Sequence, residues 1–340
     1  MMNAVECIAS RLREIHRFRL EELMEFGLHL GVRGPAAEPD SLKVIATEAE
    51  NLGFTHLGFS DHVVIAENVD SPYPYTKSGR WFAEDSGECL EQITTLGFVA
   101  AATTKIRLLT SVMVLPHRPP ILTAKMLDTV DILSKGRLTI GLGVGWMAEE
   151  ISLLNGPEFK DRGPASDEYI AAFKELWTND SPCFKGKHIN FSGLKFFPKP
   201  LQQPYPPLWI GGEAKLARQR AGRIGNGWYP VGNNPSAPFD TAARYSKGLK
   251  DVEEAAAAIG RSPMDITKGL LAIWYKLGQS DQTDQGTRRA FTGSQKEILQ
   301  DVEEYRAVGL EHLIIGGESS DLNACLQRMR TFKKEIMSNV

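Results

Sequence analysis

Four short stretches of this sequence combine residue types and spacings that can do chemistry. Ser60-Asp61-His62 follows the apolar run LGFTHLGF and sets an imidazole beside a carboxylate. Such a pair can donate a hydrogen bond or relay a proton near neutral pH; equally, His62 can cap the strand by bonding a backbone carbonyl. No second His or Cys lies nearby at ligand spacing, so a metal is not expected there. Gly141, Gly143 and Gly145 alternate with Leu142 and Val144, which in a strand places all three glycines on one face. A face without side chains admits a large flat group to the backbone, or a tightly packed barrel interior. The spacing is not the G-x-G-x-x-G dinucleotide fingerprint. Gly211-Gly212 stands between the apolar PPLWI and a helical stretch. Glycines at a strand-to-helix turn expose N–H groups at a positive helix end, which suits a phosphate, although a plain turn needing positive φ has the same signature. Glu213, the next residue, works against an anion there. The fourth stretch, Thr110-Ser111-Val112, lies within IRLLTSVMVLP and contains no proline, so its residues alone predict an unbroken strand. Trp146, Trp209 and Trp228 near strand ends, and Arg118, Arg162 and Lys195 in loops, are further pocket candidates, with core packing and plain solvation as the alternatives.

The elements that must hold these residues alternate regularly. MEFGLHLGV, THLGFSDHVV, IRLLTSVMVLP, RLTIGLGVGWM, PPLWIGG, GWYPVG, MDITKGLLAIWYKLG and EHLIIGG read as strands, each followed by a stretch with helical spacing of apolar residues. HINFSGLKFFPKP reads as a surface hairpin. Eight βα pairs point to an α/β protein, a closed (β/α)8 TIM barrel with insertions after strands 4 and 7, over an open doubly wound sheet. In such a barrel, active sites gather at the C-terminal strand ends, where the four stretches fall.

The first 23 residues mix Arg with Glu and read as a polar N-terminal extension, with a single barrel domain over 24–340. A net charge of −3 argues against a general nucleic-acid binder, and no apolar run is long enough to span a membrane. Cys7, Cys89, Cys183 and Cys325 show no metal or redox spacing and read as reduced thiols of a cytoplasmic protein.

Several segments together resemble the luciferase-like monooxygenase superfamily, in its coenzyme F-420-dependent oxidoreductase branch. They are LGFTHLGFSDHV (52–63), the block from Ile106 to Glu150, DEYIAAFKELWT (167–178) and PKPLQQPYPPLWIGG (198–212). The resemblance implies a cytoplasmic enzyme that moves a hydride between F-420, or alternatively FMN, and a small organic substrate. FMN would also open an oxygen-using monooxygenase reaction. It implies a non-prolyl cis peptide at Ser111-Val112 under the ring, so that Thr110, Ser111 and Val112 join Gly143, Gly145, Gly211 and Gly212 as cofactor-binding residues. Asp61 and His62 become the catalytic candidates, no metal is expected, and a homodimer is. One departure stands out: some sugar-phosphate dehydrogenases of this branch carry an acidic proton donor where this chain has Trp146, and neither Glu149 nor Glu150 is assigned in its place. The rival readings are a sugar-phosphate isomerase or lyase using the Gly211-Gly212 turn, and a non-catalytic flavin-binding barrel.

Overall fold

The computed structural model describes residues 24–81, 83, 86–319 and 321–340. The expected polar extension over 1–23 lies outside the described residues. Eight parallel strands alternate with eight main helices: β1 (Glu25–Leu30), α1 (Pro39–Leu52), β2 (His56–Phe59), α2 (Gln92–Ala102), β3 (Arg107–Val114), α3 (Pro120–Leu133), β4 (Leu138–Gly143), α4 (Arg162–Thr178), β5 (Leu208–Gly211), α5 (Lys215–Ile224), β6 (Gly227–Tyr229), α6 (Ala242–Ala257), β7 (Thr267–Ala272), α7 (Gln295–Ala307), β8 (His312–Gly316) and α8 (Leu322–Phe332). The strands close into a barrel in the order β1-β8-β7-β6-β5-β4-β3-β2. Closure is made by β1 against β8, with Glu25 opposite His312 and His29 opposite Gly316.

Local chemistry sets the element boundaries. Ser294 and Glu297 form a reciprocal capping box at the start of α7, while Thr241 and Asp321 cap α6 and α8 through their side-chain oxygens. Gly53, at φ 87°, ends α1 in the left-handed conformation that glycine adopts most easily. Much of the Ile106–Glu150 block is structural. Arg137 donates to the carbonyls of Ala100, Thr103, Ile106 and Ser134, tying the end of α2 to the β3–β4 edge. Lys125 pairs with the fully buried Asp128 at 2.7 Å.

Apolar side chains fill two regions. A large shell lies between the strands and the surrounding helices. Inside the barrel, Leu109, Trp209, Tyr229, Leu271 and Ile314 form a plug, so the lumen is a packed core. Insertions do follow β4, with a short helix Ala148–Leu153, and β7, over 273–294. A third, not anticipated from the sequence, runs over 60–91 after β2 and carries Tyr73, Tyr75 and Trp81 to the barrel mouth. The hairpin between α4 and β5 lies earlier than expected: it pairs Phe184–Lys185 with Asn190–Phe191, so only the start of HINFSGLKFFPKP belongs to it. Among the described residues, no helix is long and apolar enough to cross a membrane.

Candidate active site

A cavity of about 840 Å³ opens at the C-terminal ends of the strands. Its floor is β3. The Ser111–Val112 peptide is cis, and pairing with β4 shifts register between Thr110 and Met113, so the unbroken strand expected from the residues alone is corrected. The flanking glycines seat the side chain of Val112. A Cβ on Gly141 or Gly211 would lie 3.1 Å from its Cγ1, and one on Gly143 would lie 2.8 Å from its Cγ2. The space left by this bare face is therefore filled first by a valine, whose outer side lines the cavity. Gly145 departs from the expected alternation: it lies beyond the end of β4 at φ 81°.

Ser111 and Val112 line the cavity, whereas Thr110 is fully buried and donates to the Gly141 carbonyl at 2.7 Å. Thr110 thus holds β3 to β4, and its expected place among the cofactor ligands is corrected. Ser111 Oγ lies 2.9 Å from His29 Nδ1 and 2.9 Å from the Tyr229 hydroxyl, a buried polar chain under the floor. Burial holds His29 down to about 4, so its ring is neutral at physiological pH.

The paired roles expected of Asp61 and His62 also separate. Asp61 is buried and accepts both guanidinium nitrogens of Arg118, at 2.9 and 2.7 Å, and the Val114 N–H at 2.8 Å. Burial alone would raise Asp61, but the facing Arg118 outweighs it and keeps the carboxyl below its ordinary value. With its oxygens so engaged, Asp61 is not the partner of His62. That partner is Glu150, which sequence reasoning left unassigned. Fully buried, it lies 2.7 Å from His62 Nδ1 and accepts the Val63 N–H at 2.7 Å. His117 bridges the two carboxylates, 3.8 Å from Asp61 and 3.6 Å from Glu150, and burial lowers its affinity for a proton.

With Nδ1 committed to Glu150, Nε2 is the His62 nitrogen available to a ligand. The imidazole lies 4.4 Å from the Trp81 ring and 6.2 Å from that of Trp146, with Tyr73 closing the group. Of the three tryptophans considered, only Trp146 lines the cavity. Trp209 belongs to the barrel plug, and Trp228 is buried and donates to the Gly212 carbonyl. Of the three loop cations, Arg118 is spent on Asp61 and Glu91, Arg162 lines the cavity beside Phe159, and Lys195 is not among the lining residues.

At the opposite wall, Gly211 and Gly212 turn the chain from β5 into α5, with Gly212 at φ 101°. Among the described residues no side chain caps α5, so the N–H groups of its first turn lack a side-chain acceptor. Glu213 does not compete for them. Buried, it turns to β6 and accepts the Val231 N–H at 2.7 Å and the Asn234 amide at 3.2 Å. Burial raises its carboxyl from 4.5 to about 7, so near neutral pH it is substantially uncharged.

The sequence model of the luciferase-like monooxygenase family matches residues 24–283. The chain belongs to this family. Family membership makes it an oxidoreductase, and the closed eight-stranded barrel agrees. An FMNH2-dependent dimethylsulfone monooxygenase of Pseudomonas putida is 33% identical over 51% of this chain, but that match spans only 46% of the relative. An F420-dependent glucose-6-phosphate dehydrogenase of Amycolatopsis mediterranei is 29% identical over 86% of this chain and 94% of its own length. The coenzyme F420-dependent tetrahydromethanopterin reductase of Methanopyrus kandleri superposes with a TM-score of 0.71 at 15% identity, covering 93% of this chain and 99% of that one, a likeness of fold.

Proposed function

We propose that the chain is an F-420-dependent oxidoreductase in which His62, held by Glu150, moves the proton that accompanies hydride transfer to or from a small organic substrate. The observation that carries this reading is the 2.7 Å His62–Glu150 contact at the edge of a cavity floored by Val112. The residues present fit such a cofactor. The floor offers apolar surface at Val112 and Leu142, and the uncapped turn at Gly211-Gly212 offers main-chain donors, with Arg162 and Arg220 also on the wall. When bound, F-420 supplies the hydride donor or acceptor. The chain itself supplies position and a proton path: His62 Nε2 gives a proton to, or takes one from, the substrate oxygen, and Glu150 fixes the ring and balances its charge. Trp81, Trp146 and Tyr73 surround that proton with apolar surface and limit access of water.

Similarity to F420-dependent glucose-6-phosphate dehydrogenase along nearly the whole chain supports the deazaflavin. Similarity to the sulfone monooxygenase supports FMN as the second reading. Titrating the purified chain with each cofactor, followed by absorbance and fluorescence, separates them. Saturable binding of F-420 is expected. Saturable binding of FMN alone transfers the proposal to the monooxygenase reading, and binding of neither ends both.

Glu213 gives the phosphate end a pH signature. A carboxyl raised from 4.5 to about 7 favours the folded chain below its unfolded value, and this contribution is lost as pH rises through about 7. Over the same range a negative charge develops beside the anion turn. Cofactor affinity is therefore expected to fall between pH 6 and 8, and the thermal midpoint to fall as pH rises from about 4.5 to about 7 and level off above it. Glu213→Gln keeps an acceptor for Val231 and should flatten both profiles. Fluorescence titration and thermal melts at several pH values check this, and identical slopes in variant and wild type would refute it.

A further inference from the structure

At the end of the barrel opposite the cavity, three side chains converge that the oxidoreductase reading does not use. We propose that Glu25, His56 and His312 form a binding site for a divalent transition-metal ion, zinc being the best match, which pins the strand ends at the barrel base. The three come from the N-terminal ends of β1, β2 and β8, which are neighbours across the barrel closure. Glu25 stands in register with His312, and His56 with Gly27. A Cβ on Gly27 would lie 3.0 Å from the His56 Cβ and 2.3 Å from Ile314, so the glycine leaves this corner room to form.

The donor set and its spacing both suit the ion. Two imidazoles and one carboxylate are the borderline and hard ligands zinc takes. The Glu25 carboxylate is 3.2 Å from His312 Nδ1 and 3.8 Å from His56 Nδ1, and one donor atom from each of the three residues falls within 4.8 Å of the others. Bonds of about 2.0–2.2 Å to a tetrahedral zinc place its donors roughly 3.3–3.6 Å apart. Side-chain rotation, with the Thr55 hydroxyl giving up its 3.0 Å contact to His56 Nδ1, therefore brings the three onto one ion. His312 Nδ1 is buried and faces the Glu25 carboxylate at 3.2 Å, so these two donors already converge on one point.

The surroundings hold the ligands in place. Trp209 packs against both imidazoles, with ring centroids 5.1 Å from His56 and 4.9 Å from His312. Glu25, 47% exposed, leaves an open side from which water can supply the fourth ligand. The cation nearest in kind, Arg107, is engaged by Thr139, the Leu138 carbonyl and Gln202. The barrel plug separates this base from the catalytic cavity, so the ion has a structural role and takes no part in hydride transfer.

The test is a titration of the full chain, stripped with a chelator, using Co²⁺ for its visible absorption and Zn²⁺ for its effect on thermal stability. One equivalent of Co²⁺ should bind with the intense d–d bands of low coordination number, and Zn²⁺ should raise the melting midpoint. Glu25→Gln, at a half-exposed position that a folded chain tolerates, and His312→Gln should each weaken binding by more than about tenfold. Circular dichroism confirms that both variants are folded. Absence of a saturable cobalt spectrum in the wild type, or a spectrum unchanged in both variants, overturns the proposal.

Discussion

Replacing His62 by alanine is expected to lower kcat by roughly 10²–10⁴-fold, the range set by removal of a positioned acid–base group. The imidazole is held on one side by Glu150 at 2.7 Å and on its face by Trp81, so its loss takes away an oriented proton carrier from the cavity wall. Glu150 acts through that ring and is a positioning residue. Glu150→Gln keeps the shape but leaves one oxygen to serve both His62 and the Val63 N–H. The variant should lose less rate than His62→Ala. Steady-state kinetics with F-420 and an accepted substrate measure both effects. A His62→Ala enzyme with unaltered kcat would remove the imidazole from the mechanism.

The barrel was legible because each strand and helix announces itself locally, and eight repetitions leave little choice of closure. Of the candidates, His62, Gly143, Gly145, Gly211 and Gly212 line the cavity at strand ends that the apolar runs mark, whereas Ser111 and Val112, which also line it, were singled out by the family resemblance, because their residue types alone predict an unbroken strand. What could not be read was pairing over long sequence separation. Asp61 is the chain neighbour of His62, yet adjacent side chains at a strand end diverge, and each finds its partner elsewhere: Asp61 in Arg118, His62 in Glu150. The signal for Glu150 was weak, a second acidic residue in the first turn of a short helix after β4, where acids are common for helix-dipole reasons. Likewise Glu25, His56 and His312 occupy the starts of strands that only barrel closure makes adjacent. The 60–91 insertion lacked periodicity, although its Tyr73-Pro74-Tyr75 run and Trp81 are an unusual concentration of aromatic residues for a plain connection.

Replacing Arg118 by methionine is expected to be the most destabilising single change near the site, costing about 3–5 kcal/mol at neutral pH. Methionine fills similar volume, so the loss is electrostatic: the Asp61 carboxylate stays buried with its counter-ion gone. The sign of its pH dependence follows from that burial. In the wild type Arg118 keeps the Asp61 carboxyl below its ordinary value, so the pair contributes above the unfolded value and is lost as pH falls through the folded one. In Arg118→Met the effect of burial prevails, Asp61 takes up a proton more readily, and the deficit relative to wild type shrinks toward acid. Adding Asp61→Asn to Arg118→Met should restore much of the stability, because position 61 then carries no buried charge and an acceptor for the Val114 N–H survives. Denaturant melts of the wild type, Arg118→Met, Asp61→Asn and the double variant at pH 7 and pH 5 complete the cycle; Arg118→Met equally destabilised at both pH values, or a double variant no better than it, would contradict this assignment. The consequence reaches the reaction because Asp61 holds Val114, two residues beyond Val112, so the carboxylate expected to share proton transfer with His62 serves to hold the end of β3 that forms the cavity floor.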